Sequence, residues 1–318
     1  MRFRRMIRPE SWLNTAVDTR SSHKARMTRL FKTGLTGQQA VTTAVRHLNE
    51  AGVADAPRDA RKLLAHALGV SSAALGVHIF DPLTQKTLKA FEEAIQRRLR
   101  RQPVSQIIGT RHFATRTFQV TPDVLDPRPE TEILIEVAKT EPYTRVLDLG
   151  LGSGVILCTL LADRRGQCTG VGVDVTEAAC AVAFANAQST GVIEVIDIFI
   201  SDWFEHVEGQ FDLIVTNPPY IAASEMSALA PEVREWEPHG ALSDGGDGLT
   251  AYRRISAQVL TYLAPGGRFI CEIGPTQAKD VVHLLEAAGL VDIHIHQDFD
   301  ARDRVVSARH PVLRSSIT

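Results

Sequence analysis

Val146-Leu147-Asp148-Leu149-Gly150-Leu151-Gly152-Ser153-Gly154 reads as a short apolar strand running into a glycine-rich turn, with a helix following over residues 155–162. Glycine suits that turn for two reasons: a side chain would block a ligand approaching the backbone, and tight turns can demand positive φ. A purely structural turn would use glycine in the same way. The spacing is GxGxG, whereas the dinucleotide fingerprint requires GxGxxG, its third glycine packing the helix onto the strand beside a bound pyrophosphate. A nicotinamide enzyme is therefore disfavoured. Asp174 ends the next strand, twenty residues after Gly154, where a carboxylate can accept hydrogen bonds from both hydroxyls of an adenosine ribose. More than one adenosine cofactor uses that placement, so it does not identify which. Asp148 can brace the loop through backbone hydrogen bonds or approach a cationic end of the cofactor, and bracing is the favoured role.

Outward from this turn the chain alternates strands and helices. Residues 145–149, 169–174, 195–200, 211–216 and 268–273 are short apolar runs of the kind buried in parallel sheets. Residues 291–296 and 304–308 flank a polar loop and read as an antiparallel pair. Towards the N-terminus, Thr36-Gly37-Gln38-Gln39 has capping-box spacing, and Ala40, Val41, Ala44, Val45 and Leu48 recur at helical intervals. Pro57 opens a second helix, and Leu88, Phe91, Ile95 and Leu99 mark a third that starts near Thr84. Between residues 102 and 126 the pattern turns β-like, with Ile107, Ile108, Phe113, Phe118 and Val120 between turn residues. The expected organisation is a basic, disordered leader (1–34), a helical bundle (35–101), a β-hairpin linker (102–126) and an α/β domain (127–318) with a mostly parallel sheet and an antiparallel C-terminal strand.

Composition narrows the class. The 318 residues carry a formal net charge of −2 and are 44% apolar, enough for two buried cores. That balance argues against a uniformly basic, nucleic-acid-coating surface. Cys158, Cys168, Cys180 and Cys271 lack CxxC spacing or an adjoining His cluster, so no metal site is expected and they read as buried thiols in a reducing compartment. No apolar run approaches the roughly 20 residues of a membrane span. A cytoplasmic protein is expected. The leader holds nine Arg and Lys side chains against Glu10 and Asp18; it reads as a tail that Met27 could bypass as an internal start, or as a mitochondrial or plastid targeting segment.

Two further stretches carry chemistry. Ser201-Asp202-Trp203-Phe204 follows the third strand, at the carboxyl edge where open parallel sheets bind ligands. Trp203 can pack against an adenine and Asp202 can hydrogen-bond it. Asn217-Pro218-Pro219-Tyr220 follows the strand at 211–216. Proline pairs there usually just stop a strand. Here they also stiffen a carbonyl between an amide and an aromatic ring, an arrangement suited to a planar nitrogen: the Asn217 side-chain oxygen and the Pro218 carbonyl would accept its two N–H groups while Tyr220 stacks on its face.

With those residues in place, the sequence resembles the class I S-adenosylmethionine-dependent methyltransferases, and within them the HemK/PrmC family of release-factor glutamine methyltransferases. The resemblance runs from about residue 36 to 309. It rests on the tetrapeptide, the glycine turn, residues 201–204, Glu272-Ile273-Gly274, and Leu125-Asp126-Pro127-Arg128-Pro129-Glu130-Thr131-Glu132, which is similar to the family's PRPETE segment. Residues 102–109 and 237–242 look like further family segments. The resemblance implies a Rossmann-like methyltransferase sheet, S-adenosyl-L-methionine as cofactor, and N5 methylation of the glutamine in the GGQ motif of peptide chain release factors. It implies cofactor contacts from Gly150, Leu151, Gly152, Ser153, Gly154, Asp174, Asp202, Trp203 and Asn217, and substrate contacts from Asn217, Pro218, Pro219 and Tyr220, of which Asn217, Pro218 and Tyr220 act in catalysis. A ribosomal-protein glutamine or a nucleic-acid adenine is the alternative substrate, since NPPY also serves adenine-N6 enzymes; no stable nucleic-acid binding is expected, and the sequence leaves the oligomeric state open. Leu151, Asp126 and Arg111-His112-Phe113-Ala114 depart from the family pattern.

Overall fold

Thr36 starts the first helix of a computed structural model that describes residues 30–312. The described chain divides into a helical unit of residues 30–109 and 231–236 and an α/β unit of residues 110–230 and 237–312. In the helical unit, the Thr36 hydroxyl and the Gln39 side chain cap reciprocally, and α1 (Gly37–Glu50) buries Ala40, Val41, Ala44 and Leu48. Then come α2 (Ala56–Leu68), with proline in its first turn and Gly69 in the left-handed conformation at its end, and the one-turn α3 (Leu75–His78). The Thr84 hydroxyl caps α4 (Gln85–Leu99), and α5 (Val104–Ile108) closes the run.

Two sequence expectations change here. Ile107 and Ile108 lie in α5 rather than in a strand, since the apolar run Val104 to Ile108 is short enough to fit either form. The leader boundary at residue 34 falls too late: Phe31 is 1% exposed and stacks on Phe91 at 5.2 Å between centroids. Losing a buried Phe ring typically costs about 3–5 kcal/mol, so residue 31 belongs to the fold. The leader reading for residues 1–29, including Met27, lies outside the described residues.

The α/β unit opens with a hairpin, β1 (Thr110–Phe113) and β2 (Arg116–Gln119), whose Phe113 and Phe118 enter the core of this unit. Next come α6 (Thr131–Lys139), β3 (Arg145–Leu149), α7 (Val155–Asp163), β4 (Thr169–Asp174), α8 (Glu177–Thr190), β5 (Ile196–Ile200) and β6 (Phe211–Thr216). The chain then supplies α9 (Pro231–Trp236), α10 (His239–Leu242), α11 (Thr250–Tyr262), β7 (Leu263–Glu272), α12 (Ala278–Ala287), β8 (Val291–Gln297) and β9 (Asp303–Arg309). The seven-stranded sheet has the order β5-β4-β3-β6-β7-β9-β8. Strands β3 to β7 run parallel, and β9 is antiparallel to both its neighbours. Side chains alternate between two cores: Val146, Leu213 and Val215 pack on one face, Leu147, Leu149 and Ile214 on the other.

This order places a topological switch point between β3 and β6, the crevice where open α/β sheets take ligands. Leu149 pairs with Thr216, whose hydroxyl donates to the Leu149 carbonyl at 2.7 Å. The glycine turn and the Asn217 turn therefore leave the sheet side by side. The helix α9 belongs to the helical unit: Glu232 accepts from Arg98 at 2.9 Å and from Arg101 at 2.8 Å, and the Trp236 indole donates to the Arg100 carbonyl at 3.0 Å. All four cysteines are buried and unpaired.

Candidate active site

A cavity of about 430 Å³ opens in the α/β unit at the carboxyl ends of these strands. Its lining includes Gly150, Leu151, Gly152, Ser153, Asp174, Asp202, Trp203, Asn217 and Pro219. Gly154, Pro218 and Tyr220 do not line it.

The glycine turn is held from its own neighbourhood. The N–H groups of Gly150 and Leu151 both donate to the Val173 carbonyl at 2.9 Å, and Gly152 N–H donates to one Asp174 carboxylate oxygen at 2.9 Å. The other oxygen accepts from the Thr176 amide at 2.9 Å and its hydroxyl at 3.0 Å. Gly154 has φ +77° and caps α7; a Cβ there would stand 3.1 Å from the Ala183 Cβ, so this glycine lets α7 pack closely against α8. Asn186 of α8 adds a buried brace, donating to the carbonyls of Ser153 and Gln119 and accepting the Gln119 amide at 2.7 Å.

Leu151 departs from the family pattern without disturbing the turn. Its side chain is buried over Gly172 on β4, where a Cβ would come within 2.7 Å of it. The small residue on the strand thus accommodates the large one in the turn. Asp148 departs from the favoured expectation: neither carboxylate oxygen meets a partner at full hydrogen-bond geometry among the described residues, and the backbone group that pulls on it belongs to Leu157 in α7 rather than to the glycine turn. Burial pushes its acid well above the usual carboxylate range, which favours the neutral form.

Trp203 holds φ +53°, a left-handed conformation uncommon outside glycine. The Ser201 hydroxyl fixes it, donating to the Trp203 carbonyl and accepting the His206 amide, both at 3.0 Å. The ring lies 3.6 Å from the position a Cβ would take on Gly150. Asp202 pairs with Arg254 at 2.7 Å, both side chains close to half exposed.

Beside the glycine turn, the Asn217 Nδ2 group donates to the Thr131 hydroxyl at 3.4 Å, while its Oδ1 is buried without a partner among the described residues. Thr131 in turn donates to Glu272 at 2.7 Å, and the Tyr220 phenol reaches the other Glu272 oxygen at 3.5 Å. Glu272 is fully buried, and desolvation pushes its acid up to about 7 against the pull of Thr131 and Arg304. The backbone of the tetrapeptide is pinned separately: Gln277 donates to the carbonyls of Tyr220 at 2.9 Å and Gly248 at 3.2 Å. Gly248 has φ +80°, and a Cβ on it would lie 2.3 Å from the Tyr220 oxygen.

The PRPETE-like segment enters this wall through a charge cluster. Arg128 donates to Glu237 at 2.5 Å, and Asp126 lies 3.5 Å from Arg111 and 4.0 Å from Arg128. The acid at position 126 is thus matched by two guanidinium groups. Gly248, Arg254 and Gln277 received no role from the sequence, and Thr131, Glu237 and Glu272 were noted only as parts of segments. Beyond those segments, an acid closing an apolar strand was the visible signal for Glu272.

A parallel sheet with a glycine turn after β3 and an Asn-Pro-Pro-Tyr turn after β6, sharing one cavity, defines the class I methyltransferase type. Residues 123–269 match the methyltransferase small domain family and residues 39–109 the PrmC N-terminal domain family. A release factor glutamine methyltransferase of Cereibacter sphaeroides is 53% identical, over 86% of this chain and 98% of that protein. Proteins of the same name from Rhodospirillum rubrum and Caulobacter vibrioides are 44% and 39% identical, over 82% and 86% of this chain and 81% and 96% of theirs. The chain belongs to the release factor glutamine methyltransferase family.

Proposed function

We propose that this chain methylates the N5 side-chain amide nitrogen of the GGQ glutamine in peptide chain release factors, using S-adenosyl-L-methionine. The observation that carries the reading is the Asn217 side chain, which lines the cavity beside the glycine turn and holds a buried Oδ1 acceptor without a partner among the described residues. A buried lone acceptor of that kind is costly unless a ligand donor satisfies it. An amide N–H is such a donor.

The cofactor side fits the residues present. Gly150 and Gly152 offer backbone without side chains, the Leu151 side chain is turned into the core, and Trp203 offers an aromatic face. Asp174 keeps acceptor capacity for a ribose hydroxyl on the oxygen that takes only the Gly152 N–H, its other oxygen being shared with the amide and hydroxyl of Thr176. Asp202 would serve the adenine, while Gly154 acts through packing. When bound, S-adenosylmethionine supplies a methyl group on positively charged sulfur, electrophilic without further activation.

The chain's own contribution is alignment. An amide nitrogen is a weak nucleophile because its lone pair is delocalised into the carbonyl. Acceptance of its two N–H groups by Asn217 Oδ1 and the Pro218 carbonyl orients it and favours positive charge growing on nitrogen. Pro219 walls the cavity beside them. Tyr220 flanks the substrate amide and, through its Gln277-held carbonyl, fixes the backbone that aims Pro218. The helical unit over residues 35–101 serves in recognition of the release factor, in the cytoplasm. Mass spectrometry of release factors after incubation with enzyme and methyl-labelled cofactor tests the reading. One added methyl on the GGQ glutamine is expected; unmodified release factor with active, cofactor-binding enzyme would overturn it.

A further inference from the structure

We infer that Thr131 and Glu272 form a hydrogen-bond relay that locks the Asn217 amide with its oxygen toward the cavity, making the site selective for a substrate group that donates N–H. The inference deepens the proposed function and rests on it.

Proton count sets the direction of the relay. A threonine hydroxyl has a single proton, and an ionised carboxylate can only accept. Thr131 gives that proton to Glu272 at 2.7 Å, so it meets Asn217 with a lone pair. Only the NH₂ end of the Asn217 amide can face it, as the 3.4 Å contact from Nδ2 has it. A flipped amide would set oxygen against oxygen at Thr131 and point NH₂ into the cavity. The Tyr220 phenol, 3.5 Å from the other Glu272 oxygen, is a second donor and keeps the carboxylate in its accepting role.

The relay is dry as well as directional. Thr131 is 3% and Glu272 1% exposed, so water is poorly placed to replace either partner. The three residues come from the start of α6, the end of β7 and the turn after β6, elements packed in one unit. An acceptor held this way attracts an amide N–H and repels a carboxylate oxygen, which separates glutamine from glutamate without any charged group on the wall.

Thr131→Val keeps the side-chain shape and removes the hydroxyl. With native enzyme shown to add one methyl to the GGQ glutamine, this variant is expected to lose kcat about 10- to 100-fold at unchanged cofactor affinity by calorimetry. Thr131→Ser should recover most of the loss. In an Asn217→Ala background, Thr131→Val should cost less than about threefold more, because the relay acts only through Asn217. A merely structural role would keep its full cost there, and that additive result would overturn the inference, as would native-like kcat in folded Thr131→Val. Should Thr131→Val fail to fold, Glu272→Leu is the second probe: it removes the acceptor that takes the Thr131 proton while keeping an equal bulk, so the same kcat loss is expected and native-like turnover in folded enzyme would overturn the lock. Failure of native enzyme to methylate any release factor removes the function itself, an outcome read before any variant is compared.

Discussion

The turn after β3 and the turn after β6 face one cavity, yet the first is held by near neighbours and the second by distant ones. Gly152 is fixed by Asp174, 22 positions on, and Gly150 by Val173 on the adjacent strand. Asn217 and Tyr220 depend on Thr131, Glu272 and Gln277, separated by 86, 52 and 57 positions. A wall built from local contacts announces itself as a motif. One assembled from β7, α6 and the loop before α12 exists only once the sheet has formed, so its supports leave little trace in sequence spacing.

The largest expected effect tests the distant wall at its tip. Asn217→Ala should lower kcat on the order of 100-fold or more while the fold persists, the scale seen when one preorganised transition-state partner is removed. Single-turnover kinetics with saturating cofactor would measure it. Asn217→Asp retains an acceptor but puts a carboxylate beside the Thr131–Glu272 pair, so equal losses in Asp and Ala variants would point to the NH₂ end as the part that matters. Near-native methylation by folded Asn217→Ala would break the comparison outright.

Next comes Gly248, where backbone meets backbone. Its φ of +80° and the 2.3 Å approach of a Cβ to the Tyr220 oxygen leave no flexible side chain to yield. Gly248→Ala should cost about 2–4 kcal/mol of stability or shift the tetrapeptide, by strain at a left-handed position and steric overlap together. Thermal unfolding and turnover would both register it. By contrast Gly152, with φ +53° but nothing within 4 Å of its Cβ position, should tolerate alanine with the backbone term alone.

These differences set what the sequence could tell. The parallel strands, the antiparallel C-terminal pair and the capped helices were readable because apolar periodicity and capping residues are local. Residues 231–236 were not: Glu232 and Trp236 join the helical unit through Arg98, Arg101 and Arg100, more than 130 positions away. Phe31 was missed because one aromatic amid basic and polar residues has no period. The site was legible as two motifs and an acid; that Leu151 would be absorbed over Gly172, or that Asp148 would be wholly buried, depended on packing across strands.

On the local wall, Asp174→Ala should weaken cofactor binding by about 1–3 kcal/mol, the cost of charge-assisted hydrogen bonds. Calorimetry reads it directly. Unchanged affinity in a folded variant would remove Asp174 from the site and confine it to holding Gly152 and Thr176.

A pH titration separates the two walls again. Burial raises the Glu272 acid from its ordinary 4.5 to about 7, with Glu130 adding to the rise while Thr131, Arg304 and Asn217 oppose it, and the Tyr220 phenol beside it. Protonation lets Glu272 donate to Thr131 and undoes the direction of the relay, so kcat should fall roughly tenfold per unit once pH drops well below 7. Stability moves the other way. Between 4.5 and about 7 the folded chain holds the proton that the unfolded chain has lost, so this group's contribution is greatest in acid and declines as pH rises through that window. Glu272→Gln should flatten both profiles, whereas Asp174→Asn should leave the kcat profile in place.

The smallest effect concerns Asp202 and Arg254, a pair at 2.7 Å on the cavity's open side. With the side chains 42% and 48% exposed, the pair is screened by water and should contribute less than about 1 kcal/mol to stability. Its interest lies in competition. If the Asp202 carboxylate serves the adenine, Asp202→Ala should weaken cofactor binding a few-fold, whereas Arg254→Ala frees that carboxylate and should leave affinity equal or slightly better. Raising the salt concentration should mimic the arginine variant, since it loosens an exposed pair while leaving the buried turn intact. Equal losses from the two substitutions would instead assign the pair to shaping the loop under Trp203, and the local wall would then rest on Asp174 and the glycine turn without Asp202.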